Sequence, residues 1–300
     1  MTVLSSLCEG TSICSLWLMT KRCQVAKLEL MYLGVDIGGS KTLLAIFDEQ
    51  GQLTDQYKLP TNKNYPDFLN ELSQAIKEKL GSHNFAGCAC AVPGLIDRKN
   101  GIGLVFGNLS WRNVPIKKDL EQILGNVPVR IENDANLAAL SEAVLVRDTY
   151  NKVLYLTVST GINDGIIVDG KIEANLSDGE AGQMVLEHDG KLQKWEDFAS
   201  GRALVEKYGK KASEIEDPVI WKEFSEGLAL GIRELLAVLQ PQVVILGGGV
   251  GAHYEKFATH LKEELNKLKS DMGVNPPILK AQRAEEAVAY GCYEFIRQNQ

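Results

Sequence analysis

The chain has 300 residues, 45% of them apolar and 24% charged, enough material for about two domains with sizeable cores. A net charge of -7 and a pI near 5.3 leave no basic face to replace the counterions around phosphates, which disfavours nucleic acid as a partner. Six cysteines, at 8, 14, 23, 88, 90 and 292, form no CxxC pair and no framework spacing, so a reducing, cytoplasmic setting fits better than a secreted one.

Residues 1–30 differ in character. They hold three of the six cysteines and an apolar stretch from Ile13 to Met19 that is too short to span a bilayer. Lys21 and Arg22 follow that stretch, whereas a signal peptide carries its positive charge before it. A loosely ordered extension is expected, with the folded chain starting at Met31 and no membrane partner.

Strand signals then run over Tyr32 to Ile37, Thr42 to Phe47 and Leu53 to Leu59, with a turn at Asp48 to Gly51, an antiparallel meander. A helix is predicted from Pro66 to Leu80, with Phe68, Leu69, Leu72, Ile76 and Leu80 on one face and Gly81 as its stop. The strand Phe85 to Val92 places Cys88 and Cys90 on one face and ends at Pro93-Gly94. A loop through Asn108 and Trp111 leads to a helix from Ile116 to Leu124, a strand from Val127 to Ile131 and a helix beginning near Asp134. The second half repeats the theme with strands Val153 to Val158 and Gly165 to Val168 and a turn at Asp169-Gly170, which suggests an internal duplication. A long helix over Pro218 to Leu239, a break at Pro241 and an apolar strand Val243 to Leu246 follow. The last helix, from Ala284 to Arg297, carries Ala284, Ala287 and Gly291 at helical spacing, for which close packing is a sufficient reading.

Chemistry concentrates at strand ends. Gly38 and Gly39 let the chain reverse while bringing backbone amides close to an anion, and Ser40, Lys41 and Thr42 add donors for phosphate; an ordinary β-hairpin turn explains the same glycines. Asp134, where a strand hands over to a helix, suits an N-cap. The same position favours an ionised carboxylate that could accept the proton of an attacking hydroxyl, while Asn133 can bond sugar hydroxyls both ways. The turn from Ser159 to Gly165 offers a second phosphate grip opposite the first. Gly247, Gly248 and Gly249 would allow flat approach of a nucleoside, and they do not form the GxGxxG of a dinucleotide site.

Three segments, Asp36-Ile-Gly-Gly-Ser-Lys-Thr42, Glu132-Asn-Asp-Ala-Asn136 and Leu246-Gly-Gly-Gly-Val250, form one constellation. With Val92 to Asp97, Asn108 to Trp111, Ser159 to Gly165, Glu180 to Gln183 and Glu196 to Gly201, in this order and spacing, the chain resembles the ROK family of sugar kinases across about residues 32 to 297. The resemblance implies an α/β, two-domain actin-like ATPase (ribonuclease H-like) fold with an interdomain cleft. It divides the chain into a small domain over 31–133, a large one over 134–284 and a C-terminal helix over 285–300 returning to the small domain. It also implies magnesium-dependent transfer of the γ-phosphoryl group of ATP to a hexose 6-hydroxyl, with Asp134 as general base. Sugar ligands would be Asn133, Glu180, Gln183 and Glu196, with Gly94 and Asn108 as further candidates. On the nucleotide side stand Asp36, Gly38, Gly39, Ser40, Lys41, Thr42, Thr160, Gly161 and Gly247 to Gly249. A homodimer is expected from the family alone.

Family members read Glu-x-Gly-His followed by a cysteine cluster that holds a structural zinc. Here the histidine is Gln183 and no cysteine lies between Cys90 and Cys292, so no structural zinc is expected; His188 reads as a solvated loop residue. Gln183 can still donate and accept, which leaves the sugar open among glucose, N-acetylmannosamine, N-acetylglucosamine, mannose and fructose. Ser159, Asn163 and Asp164 stand where the family commonly has glycines, and a carboxylate there would repel a triphosphate unless magnesium intervenes or Asp164 points away. A sugar sensor without turnover is the alternative, although residues 1–30 are too short for the helix-turn-helix domain of the family's repressors. Trp111 could shape the sugar pocket or stabilise a domain interface.

Overall fold

The computed structural model describes residues 30–81, 83–125, 127–267, 275–283 and 285–299. The expected extension therefore lies outside the described residues save Leu30, and so does Ala284. In the first half, β1 (Met31–Ile37), β2 (Lys41–Phe47) and β3 (Leu53–Pro60) precede α1 (Tyr65–Leu80), β4 (Phe85–Val92), β5 (Gly94–Asp97), β6 (Ile102–Phe106) and β7 (Arg112–Val114). Next come α2 (Ile116–Leu124), β8 (Val129–Asn133) and α3 (Asp134–Val146). The second half begins with β9 (Lys152–Val158), β10 (Ile162–Val168), β11 (Lys171–Ile172), β12 (Val185–His188) and β13 (Lys191–Lys194). It continues with α4 (Trp195–Ala199), α5 (Gly201–Tyr208), α6 (Pro218–Leu239), β14 (Val243–Gly247), α7 (Gly248–Gly251), α8 (Ala258–Lys267), β15 (Ile278–Lys280) and α9 (Ala287–Gln298).

Two five-stranded sheets result, ordered β3-β2-β1-β4-β8 and β11-β10-β9-β14-β15. In each, the first strand pairs antiparallel with the second and parallel with the next one inward, so the duplication suggested by the sequence is realised strand for strand. The central strands β1 and β9 are buried along nearly their whole length, as strands covered on both faces must be. The edge strand β3 exposes Thr54, Asp55 and Gln56, where polar side chains discourage pairing with another chain.

Helices cover both faces of each sheet. Leu33, Val35, Ile37, Cys88 and Cys90 pack against Phe68, Leu72 and Ile76 of α1 and Ile116 and Leu120 of α2. On the second sheet, Leu154, Leu156, Val244 and Leu246 meet Trp221, Phe224 and Leu228 of α6 and Leu261 of α8. The remaining faces are closed by exchange. α3, which follows the first sheet, lays Ala138, Ala139, Leu140 and Ala143 on Val153, Tyr155, Val243 and Ile245 of the second. α9, which follows the second sheet, lays Ala289, Cys292, Tyr293 and Ile296 on Tyr32, Ala45, Phe47, Ala89 and Ala91 of the first. The two helices cross where Gly291 faces Leu137, so closely that a Cβ at 291 would fall on the Leu137 carbonyl.

Several expectations change here. The stretch after Val92 is not a plain loop: β5, β6 and β7 form a three-stranded antiparallel sheet. Its hairpin begins at Gly94, whose φ of 137° and contact with the Val105 carbonyl admit no side chain. Trp111 belongs neither to a pocket nor to a domain interface. It is buried against Tyr65, Phe68 and Phe106 within the first domain and donates to the Lys63 carbonyl at 2.9 Å. β8 runs on to Asn133 and β10 begins at Ile162 rather than Gly165, which shortens the second phosphate turn to Ser159–Gly161. His188 is no solvated loop residue either: it ends β12 and stacks on Phe198 with centroids 4.2 Å apart and planes 6° from parallel.

Candidate active site

Both five-stranded sheets present the tip of their first hairpin as a phosphate-sized turn. In the first, the Gly38 N–H donates to the Lys41 carbonyl at 3.0 Å, so the tip is a genuine hairpin turn as well as a row of amides. Ser40 and Lys41 are exposed. A Cβ on Gly39 would lie 2.7 Å from Asn108 Cβ, so this tip and the Asn108 loop approach backbone to side chain. Thr42 is fully buried, and its hydroxyl shares a 2.9 Å bond with that of Thr61, which turns it away from any ligand. In the second sheet, Ser159 N–H donates to the Gly161 carbonyl at 2.8 Å and Gly201 N–H to the Ser159 carbonyl at 2.7 Å, leaving Thr160 exposed at the tip.

At the β8–α3 junction two adjacent residues compete for the helix cap, and Asn133 takes it. Its Oδ1 accepts the N–H groups of Ala135 (2.8 Å) and Asn136 (3.3 Å), and its Nδ2 donates to the Gly94 carbonyl at 3.1 Å. Asn133 therefore keeps one amide proton for a ligand rather than its full set of bonds, and the Gly94 carbonyl is already engaged. Asp134, relieved of capping, sits at the first helical position and accepts from the Ala135 N–H at 2.8 Å. The helix end does not hold this carboxyl low: burial pushes it up to about 6 despite the backbone donors. Asp36, on β1, is pushed up to about 7 by burial and then by the charge of Asp134.

Opposite them stands the second domain's contribution. Glu180 is pushed up to about 7 by burial first and then by Asp164, Asp134 and Glu196. Glu196, at the start of α4, accepts from Gln183 Nε2 at 2.8 Å and lies 3.4 Å from the Ile162 N–H. The absence of a side chain at Gly161 makes room for it. Asp164 lies within β10 and accepts from the Ala181 N–H at 2.9 Å, so it is aimed at the segment carrying Glu180 and not at the Ser159–Gly161 tip. Asn163 likewise lies inside the strand.

A cavity of ≈ 580 Å³ opens beside Asp36, between Lys41, Gln56 and Lys58 of the first domain and Gln282 and Arg283 of the segment leading into α9. Sequence reasoning missed Gln56, Lys58 and Arg283, because nothing local joins an edge strand to a loop more than two hundred residues away. It also missed Arg98. Gly248 adopts a φ of 79°, Gly249 has open space where its Cβ would be, and Gly247 is pressed against the Tyr155 ring. Gly248 is pressed against the Val158 carbonyl and the Thr157 hydroxyl, so of the trio only Gly249 opens on free space. Among the described residues no three His, Cys, Asp or Glu side chains are grouped to hold a metal ion, and none of the helices is long and apolar enough to cross a membrane.

Three half-buried carboxyls raised together make stability depend on pH. Each keeps its proton in the folded protein at a pH where the unfolded chain, with values of 3.8 for Asp and 4.5 for Glu, has released it. Their contribution is therefore full below those values and is lost as pH rises through 6 to 7. The melting temperature of the ligand-free protein is expected to fall between about pH 5 and about pH 8, and to fall less in Asp36→Asn. Thermal melts across that range check it, and a rising or flat profile would contradict the charge arrangement.

Residues 32–299 match the ROK family. The chain is 34% identical to an N-acetyl-D-glucosamine kinase of Histophilus somni over 259 residues, covering 73% of this chain and 84% of that protein. It is 26% identical to a glucokinase of Streptomyces coelicolor over 259 residues, covering 73% and 81%. Its structure superposes on that of a ROK family glucokinase from Streptomyces griseus, in complex with glucose and AMPPNP, with a TM-score of 0.76, 26% identity and coverage of 89% and 99%.

Proposed function

Because this chain belongs to the ROK family of sugar kinases, we propose that it transfers the γ-phosphoryl group of ATP to the 6-hydroxyl of a hexose or N-acetylhexosamine, with Asp134 as the general base. The observation that carries this reading is Asp134 itself: it sits at the first helical position beside the capping Asn133, is raised to about 6 by burial, and its charge is felt by both Asp36 and Glu180. A base with a value near the working pH is ionised enough to take a proton and basic enough to keep it. Asp134 removes the hydroxyl proton as the oxygen attacks, and the amides of Gly39 and Ser40 on one tip and of Thr160 and Gly161 on the other receive charge on the phosphates.

The ≈ 580 Å³ cavity beside Asp36 and Lys41 takes the nucleotide side, with the nucleoside against Gly249, where no side chain or backbone atom stands in the way. On the sugar side, Glu180 and Glu196 accept hydroxyl protons, Gln183 holds Glu196 in place, and Asn133 and the Asn108 loop close the rim. Asp36 suits magnesium: its half-buried carboxylate lines the cavity, has no hydrogen-bond donor among the described residues and is destabilised as an anion. When bound, that ion would neutralise charge on the phosphates. Where the family has a zinc-bound histidine this chain has Gln183, and the neighbouring β12–β13 hairpin carries the His188–Phe198 stack.

The test is magnesium-dependent ADP release with ATP over a panel of hexoses and N-acetylhexosamines. One sugar is expected to give turnover, and the 26% and 34% identities to relatives of different specificity make glucose and N-acetylglucosamine the first two to try. Sugar binding seen by calorimetry without any ADP release would replace the kinase reading with that of a sensor.

A further inference from the structure

Arg98 begins at the end of β5 and ties together three segments that each carry a proposed ligand. Its Nε donates to Glu132 Oε2 at 2.7 Å and its Nη2 to Glu132 Oε1 at 2.6 Å, a two-point fork. The same Nη2 reaches the Ser177 carbonyl at 3.0 Å, and Nη1 pairs with Asp178. Glu132 in turn accepts the Asn133 N–H at 2.7 Å and Asn136 Nδ2 at 3.0 Å, and that Nδ2 also donates to the Ser177 carbonyl at 2.8 Å. One guanidinium thus joins the β5 hairpin with Gly94, the β8–α3 junction with Asn133 and Asp134, and the loop that runs from β11 into Glu180.

The burial along this chain of bonds is graded. Glu132 is 3% exposed and Asp178 69% exposed, so the guanidinium is anchored at its inner end while its outer end grips a surface loop. That loop is otherwise held by short local turns, with Leu176 N–H on the Glu173 carbonyl and Gly179 N–H on the Leu176 carbonyl. Such turns set its shape but not its place against the other domain. Its place is set by the donors that converge on the Ser177 carbonyl and by the Asp164–Ala181 bond.

We infer that Arg98 is a positioning residue for the sugar side of the cleft: it fixes the loop bearing Glu180 against the Glu132–Asn136 junction bearing Asp134, so that sugar ligand and base keep one spacing. The kinetic part of this inference rests on the sugar-kinase reading; the positional part does not. An error of about 1 Å in such a spacing is enough to cost a reaction on the order of 100-fold.

The experiment uses the full chain and three variants. Arg98→Lys keeps a positive charge on Glu132 but has no fork to span four acceptors. Asp178→Ala removes the exposed grip alone, and Arg98→Gln removes the whole tie and leaves Glu132 uncompensated. Hydrogen exchange over residues 174–181 is expected to quicken roughly 10-fold in Arg98→Lys and by less in Asp178→Ala, with the strands of both sheets unchanged. With the sugar that the parent accepts, the sugar KM should rise roughly 10-fold in Arg98→Lys and the ATP KM stay within about twofold. A merely structural residue would raise both KM values and exchange everywhere. Unchanged exchange in the loop of Arg98→Lys and Asp178→Ala overturns the inference, and so does an equal rise in both KM values. If Arg98→Gln does not fold, the other two variants decide. If the parent turns over no sugar, the functional reading fails on that arm alone, while loop exchange still decides what Arg98 does.

Discussion

Asp134→Asn is expected to lower kcat by about 10²- to 10⁴-fold while leaving the sugar KM within a few-fold and raising the melting temperature. The three effects share one cause. Asp134 carries a buried charge whose neighbours include Asp36 and Glu180, and its presence raises both of them. A neutral amide of the same shape removes that repulsion, still accepts the Ala135 N–H, and no longer takes a proton. In the parent, kcat/KM for the sugar should fall as the pH is lowered through 6, where Asp134 gains its proton, and this limb should vanish from the residual activity of the variant. Steady-state kinetics across pH and a paired thermal melt check the prediction. Residual turnover within 10-fold of the parent, or a lowered melting temperature, would remove Asp134 from the role of base.

Gly291→Ala is expected to give the largest loss of stability of any single methyl group added to the chain's helices. The new Cβ would be driven into the backbone of Leu137, and backbone cannot step aside as a side-chain tip can. Nor can α3 retreat, because its other side is packed on Val153, Tyr155, Val243 and Ile245. Overpacking of this kind costs about 1–3 kcal/mol or more, a drop of several degrees, roughly 5 °C, in the melting temperature of a chain this size. Gly249→Ala, where nothing lies within 4 Å of the new atom, should melt with the parent. Denaturant and thermal unfolding of the two variants side by side make the comparison, and equal melting temperatures would show that the α3–α9 crossing is looser than its geometry implies.

Much of this was legible in the sequence where a single element carries its own signal. α6 begins at Pro218 after the capping Asp217 and runs to Leu239, the bounds that its periodicity and its proline predict. The meander and the repetition of the two halves followed from strand and turn residues alone, whereas the order of strands within each sheet did not. What could not be read were pairings between distant residues. β5, β6 and β7 are short and glycine-broken, so their partners decide their structure. Asn133 and Asp134 are equally good caps in sequence, and only the register of α3 chooses between them. Thr42 resembled a phosphate donor until Thr61, nineteen residues on, claimed its hydroxyl. Arg98 and Glu132 are 34 residues apart, and no periodicity connects a hairpin to a strand end.

The exchange of α3 and α9 sets an order of events during synthesis. The face of the first sheet that holds Ala45, Phe47, Ala89 and Ala91 is covered by α9, which leaves the ribosome after the entire second sheet. Until then the earliest strands are half-clad, with an apolar face open to whatever else is at hand, and such faces are where nascent chains associate wrongly. The first domain is thus completed last, and a premature stop anywhere after α3 leaves it exposed rather than simply leaving the second domain unmade.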